Sequence, residues 1–118
     1  MLTGENFVIV ENKNRSFTIV CQEVERFYMM PLETIISKTR KRLVVEKRQM
    51  LQILAVEHTE LNKSEIGMLT NKDHCAVIHA QKTMKDLMSI DKRLAEDYSI
   101  ISKKIKRRIT KLNEKNIK

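Results

Sequence analysis

The stretch "NKDHCAVIHAQK", residues 71–82, brings Asp73, His74, Cys75 and His79 close together along the chain. A carboxylate, two imidazoles and a thiol could bind a metal, run a nucleophilic thiol, cap a helix or meet the base edges of DNA. Metal binding fits poorly: His74 and His79 are five apart rather than four, and no H-E-x-x-H pattern surrounds them. A Cys75–His74 dyad fits no better, because neighbours on a helix point about 100° apart and the imidazole should not face the thiol. The chain has no G-x-x-x-x-G-K-[ST] loop to cradle a nucleotide. The expectation is a protein without cofactor, metal or nucleotide, and not an enzyme. Two readings of Asp73 and His74 then remain. Either they are a helix cap and a solvated first-turn residue, or they are the leading edge of a helix that enters the major groove, where polar side chains meet base edges.

The elements around the pair decide between these. Upstream, "LNKSEIGML" begins with Asn62, which can cap a short helix, and Glu65 can reach back in a capping box, with Ile66 and Leu69 turned inward. Thr70, Asn71 and Lys72 break the pattern and Asp73 starts a second helix. That helix is expected over Cys75–Ser89, with Val77, Ile78, Met84, Leu87 and Met88 recurring along it. Short helix, tight turn and longer helix make a helix-turn-helix. Position at the first turn of its second helix favours the DNA-reading role for the pair.

The rest of the chain reads as helical too. Ile19, Val20, Val24, Phe27 and Tyr28 recur at helical steps over about Thr18–Tyr28, ahead of Pro31. A short helix starts at Pro31, with Leu32, Ile35 and Ile36 inward. Another spans about Leu43–His58, with Val44, Met50, Leu51, Leu54 and Ala55 as its inner stripe. A last helix covers roughly Lys92–Leu112, with Leu94, Tyr98, Ile101, Ile105 and Ile109 along one side. Only residues 1–15 resist this reading, since "FVIV" followed by "ENKNR" could be an arm, a short strand or a tail that pairs with another chain.

Composition agrees with an all-α domain and points to a polyanionic partner. Two glycines and one proline in 118 residues leave few sheet-type turns. Lys and Arg outnumber Asp and Glu by 23 to 15, giving a net charge of +8, as expected of a protein that meets nucleic acid or an anionic membrane surface. The basic residues cluster. Residues 37–49 hold Lys38, Arg40, Lys41, Arg42, Lys47 and Arg48 against Glu46 alone, and residues 103–118 form a second cluster broken only by Glu114. Cys21 and Cys75 lie far apart without C-x-x-C spacing, no apolar run reaches the roughly 18 residues of a membrane span, and the N-terminus lacks a signal-peptide pattern. A soluble, reduced, cytoplasmic protein of the nucleoid is expected.

Several of these motifs, in order and spacing, resemble the C-terminal DNA-binding domain of the DnaA family of bacterial chromosomal replication initiators. "NKDHCAVIHA" resembles that family's G-G-R-D-H-T-T-V-x-H-A signature, "SEIG" its P-E-I-G, and "LETIISKTRKR" followed by "KRQ" its short helix, basic loop and R-Q pair. The likeness runs from about Ser16 to Ile109. It implies an all-helical, Trp-repressor-like domain that binds an asymmetric duplex box as a monomer. By the same resemblance, Arg40, in the basic loop with Arg42, enters the minor groove, and Arg48 and Gln49 contact DNA beside the recognition helix. Lys63, Lys72 and His79 approach phosphates, and Asp73 and His74 read the major groove with Cys75 and Ala76 where the family has two threonines.

The sequence departs from the family pattern at this edge. Cys75 and Ala76 supply a weak thiol donor and a methyl in place of two hydroxyls, and the turn is one residue shorter and lacks the family's two glycines. The ATPase and oligomerisation domains of the initiators have no counterpart in the chain, so it is expected not to load a helicase alone. The organisation expected is an arm or strand over 1–15, the DNA-binding domain over 16–112 and a basic tail over 113–118. Its expected function is recognition of duplex DNA at a box like the initiator's, regulating replication initiation or transcription, with acidic phospholipid or a replication protein as further partners. The alternative is an adaptor whose basic faces bind RNA or anionic lipid.

Overall fold

A computed structural model describes residues 4–116, with side chains described over 15–113. Its six helices are α1 (Gly4–Tyr28), α2 (Leu32–Ile35), α3 (Arg42–His58), α4 (Lys63–Leu69), α5 (His74–Ile90) and α6 (Lys92–Asn116). Among the described residues there is no strand, and none of these helices is long and apolar enough to cross a membrane. The first helix starts earlier than Thr18. "FVIV" therefore lies in helical backbone rather than in a strand, and no proline between Gly4 and Tyr28 opposes this.

α1 ends in a Schellman motif, where Met30 N–H donates to the Glu25 carbonyl at 3.2 Å and Met29 takes a left-handed φ of 52°. Pro31 follows and cannot extend the ladder. Glu25 has a second function: its Oε2 accepts from Leu32 N–H at 2.9 Å, satisfying a donor that Pro31, lacking a side-chain cap, leaves open.

The core is one cluster centred on α3. Met50, Leu51, Leu54 and Ala55 are fully buried against Val20 and Val24 of α1, Ile35 of α2, Ile66 of α4, Val77, Ala80 and Met84 of α5, and Ile101 and Ile105 of α6. Two of the apolar positions lie outside the core. Leu69 is 42% exposed and Ile78 47% exposed, because α4 and α5 face the core through Ile66 and through Val77, Ala80 and Met84. Leu32 and Ile36 are half-buried and pack against the core.

Polar pairs fix how the helices cross. The Tyr28 hydroxyl reaches Asp97 at 3.4 Å, and Lys47 Nζ sits 4.6 Å from the centre of the Tyr28 ring. Arg108 donates to the buried Glu23 carboxylate at 2.7 Å and to Gln22 at 2.8 Å. His58 Nε2 and Ser102 Oγ lie 2.7 Å apart, joining the end of α3 to the middle of α6. Burial pushes the Cys21 thiol up to about 12, with Glu25 adding to the shift, so it is a packed core group rather than a reactive one.

Candidate nucleic-acid interface

The helix-turn-helix is built from α4, the turn and α5. Asn62 and Glu65 cap each other's backbone, Glu65 N–H to Asn62 Oδ1 at 2.8 Å and Asn62 N–H to Glu65 Oε1 at 3.0 Å. α4 closes in a second Schellman motif, Lys72 N–H to the Gly67 carbonyl at 2.7 Å and Asn71 N–H to the Met68 carbonyl at 3.2 Å, with Asn71 at a left-handed φ of 58°. Asparagine tolerates that conformation, so the shortened turn closes without a glycine there.

The glycine that the turn does require is Gly67. A Cβ at this position would sit 2.4 Å from the Asp73 carbonyl carbon and 2.5 Å from its oxygen. The end of α4 and the start of α5 can approach this closely only because that atom is missing. Beneath the turn, the buried Thr70 hydroxyl bonds back to the Ile66 carbonyl at 2.9 Å and accepts from the buried Gln52 amide at 3.0 Å, tying the turn to α3.

Asp73 is the N-cap of α5, its Oδ1 accepting from Ala76 N–H at 3.0 Å. One carboxylate oxygen is thus committed to the helix. His74 and Cys75 stand exposed beside it on the first turn. Their side chains meet despite the divergence expected of neighbours, with Cys75 Sγ 3.8 Å from His74 Nε2. The contact is fully on the surface. Among the described residues no three His, Cys, Asp or Glu side chains come together as a metal site would need.

The second element is the basic loop between α2 and α3. A groove of about 210 Å³ runs between this loop, α3 and α5, and Arg40, Gln49, Lys72, Ala76 and His79 all border it, with Thr39 and Val45. With Arg48, which also lines it, six of the residues singled out in the sequence, from segments 39 positions apart (Arg40 to His79), therefore border one groove. His79 also contacts Thr83 Oγ1 at 3.3 Å. Arg42 and Lys63 lie outside the groove, exposed at the first positions of α3 and α4. Cations there oppose the helix dipole, and α3 has neither a side-chain cap nor an acid in its first turn, whereas Glu65 and Asp73 stand at the starts of α4 and α5. The arrangement favours anions arriving at the start of α3.

Arg48 borders this groove beside Gln49 and is also tied inward. It is 4% exposed. Its Nε donates to the Ile35 carbonyl at 2.9 Å, and its Nη2 donates to the Thr39 carbonyl at 3.1 Å and, very closely, to that of Ser37. Burial lowers its pKa from the ordinary arginine value, and the three carbonyls are the groups that hold the cation in place. Arg48 therefore clamps the basic loop from the inner wall of the groove. Asn71 reinforces it from the other side, donating from Nδ2 to the Ile36 carbonyl at 3.1 Å. The sequence shows Asn71 as a breaker but gives no sign of this bond, which spans 35 positions. Lys47 likewise leaves the basic cluster for the Tyr28 ring.

An all-helical domain whose short α4, tight turn and exposed α5 adjoin a clamped basic loop is a helix-turn-helix DNA-binding domain. Residues 17–84 match the family described as "Bacterial dnaA protein helix-turn-helix", and the chain belongs to that family. The chromosomal replication initiator protein DnaA of Flavobacterium psychrophilum is 33% identical over 102 residues, 86% of this chain and 21% of that protein. Those of Bacteroides thetaiotaomicron and Bacteroides fragilis are 33% and 35% identical over 103 residues, 85% of this chain and 22% of each. The chain spans about a fifth of the length of these curated relatives.

Proposed function

We propose that the chain recognises duplex DNA at a box related to that of the DnaA initiators, and so competes with or modulates initiation, or a neighbouring promoter, at the nucleoid. The first turn of α5 enters the major groove and presents His74, Cys75, Ala76 and the uncommitted Asp73 oxygen to base edges. Arg40 enters the adjacent minor groove, where a narrow A·T-rich segment concentrates negative potential. Arg42, Gln49, Lys63, Lys72 and His79 hold the phosphates between and beside them. The observation that carries this reading is the groove itself, which sets the loop arginine, Lys72 and His79 on one face with the start of α5. Nothing in it needs a nucleotide or a metal.

Selection of bound sequences from a random duplex pool tests the proposal. A box-like consensus is expected, and Arg40→Ala should relax its A·T preference at one edge. On the selected box His74→Ala should cost about 1–3 kcal/mol, and far less on random duplex, because phosphate contacts remain. Equal losses on both duplexes with the fold intact would reduce His74 to a solvated helix-start residue. Enrichment of no sequence, with RNA or anionic vesicles bound in preference to duplex, would replace the reading with that of an adaptor.

A further inference from the structure

The exposed face of α6 is unused by the helix-turn-helix. At about 100° per residue, Lys103, Lys104, Lys106, Arg107 and Lys111 fall on one arc of roughly 160°, and all five are exposed. Leu94, Ile101 and Ile105, on the opposite side of the helix, are buried in the core. No acid occurs between Ser99 and Asn113. Among the described residues, the cation of this stretch that pairs with a carboxylate is Arg108, bound to Glu23, and it stands outside the arc. Like charges at successive helical turns repel and weaken a helix, so the fold itself gives no reason to gather five of them.

This face also points away from the groove. α3 is 17 residues long, about 25 Å from end to end. The basic loop joins its first turn, whereas Ser102 of α6 meets its last residue, His58. Beyond Ser102, α6 runs antiparallel to α1, with Tyr28 against Asp97 and Glu23 against Arg108, and α1 is followed by α2 and the loop. The five cations thus recede from the loop along about 12 Å of helix. A short duplex held in the groove would not reach them.

We infer that the α6 face binds a second segment of duplex DNA, so that one chain can hold two duplexes. Duplex DNA presents a negative charge about every 1.7 Å of its axis and needs only cations in a row to bind without sequence preference. An anionic membrane is the poorer match, because a helix lying in a lipid interface inserts its apolar face, and in α6 that face is packed against α1 and α3.

The test is a bridging assay with the full chain. A short box duplex is fixed to beads, and a labelled duplex of unrelated sequence is offered at low salt. The wild-type chain should capture the label. A chain with Lys103→Gln, Lys104→Gln, Lys106→Gln, Arg107→Gln and Lys111→Gln, all exposed positions where glutamine suits a helix, should capture at least about tenfold less, given a loss of about 4.5 in log-log salt slope for five phosphate contacts. Its affinity for the short box duplex alone should be nearly unchanged. An Arg40→Ala, His74→Ala chain should still bind unrelated duplex through α6, which keeps this inference separate from the box reading. Equal capture by the neutralised chain, as a dimer bridging through two helix-turn-helices would give, overturns the inference. So does an equal loss of short-box affinity, or displacement of the label by phosphatidylglycerol vesicles more readily than by unlabelled duplex.

Discussion

Arg48→Met and Arg48→Lys together decide whether this arginine clamps the loop or touches DNA. Met fills much of the space and donates nothing. The carbonyls of Ser37 and Thr39 belong to half-buried residues that water can reach, whereas Ile35 is fully buried. One carbonyl thus loses its partner, at a cost of about 1–3 kcal/mol, partly offset because a desolvated charge is removed. We expect a net loss of stability of about 1–2 kcal/mol, read as a shift in the denaturant midpoint. The effect on binding is separate. Freeing the loop means ordering it again on DNA, and at about 1–2 kcal/mol for each residue fixed, one or two residues weaken box binding by at least about tenfold. The salt slope should barely move, since Arg48 neutralises no phosphate. A lysine keeps the charge but cannot span three carbonyls, so Arg48→Lys should resemble Arg48→Met. A slope reduced by about 0.9 in Arg48→Met, with near wild-type binding in Arg48→Lys and an unchanged midpoint, would refute the clamp.

Gly67→Ala places a methyl against the Asp73 backbone and should destabilise by about 2–3 kcal/mol; an unchanged denaturant midpoint would show that the turn can relax around it. Met29→Gly relieves a left-handed residue that is 89% exposed and should stabilise by about 0.5–1 kcal/mol, so a lower midpoint would count against strain at that cap. His58 is held by Ser102 and has its pKa lowered from 6.5 chiefly by burial, with Glu57 opposing the shift and Lys106 adding to it. Its contribution to stability is complete above that value and is lost as pH falls through the lower folded pKa. His58→Gln should flatten this part of the Tm-against-pH curve, and a curve identical to wild type would show that another group is responsible.

Periodicity made much of the architecture legible. The inner stripe of α3, the capping box of α4 and the cap at Asp73 all lie where local spacing puts them, because each depends on residues within one or two turns. Contacts between distant positions were not legible. Arg48 stands between Lys47 and Gln49 in a run of cations, and nothing nearby in the sequence says that its guanidinium turns back to carbonyls 9 to 13 positions earlier. Lys47 is drawn to a ring 19 positions away (Tyr28). Gly67 could be seen as part of the "SEIG" likeness, but its steric reason appears only once α5 is folded back over α4. Leu69 and Ile78 were misplaced because periodicity identifies apolar stripes without saying which edge of a stripe the neighbouring helix covers.

The departures from the family pattern and the buried Arg48 meet at one place, the carbonyls that end α2 and begin the loop. Arg48 takes those of Ile35, Ser37 and Thr39, and Asn71 takes that of Ile36 between them. The loop of Arg40 and the first turn of α5, the two elements proposed to read DNA, are therefore anchored to the same four-carbonyl segment, one by α3 and the other by the turn. A glycine at position 71 could adopt the left-handed conformation but could not donate to Ile36. The asparagine that closes this shortened turn also supplies a side-chain bond between the two reading elements, and the distance between Arg40 and His74 is set by protein contacts before DNA arrives.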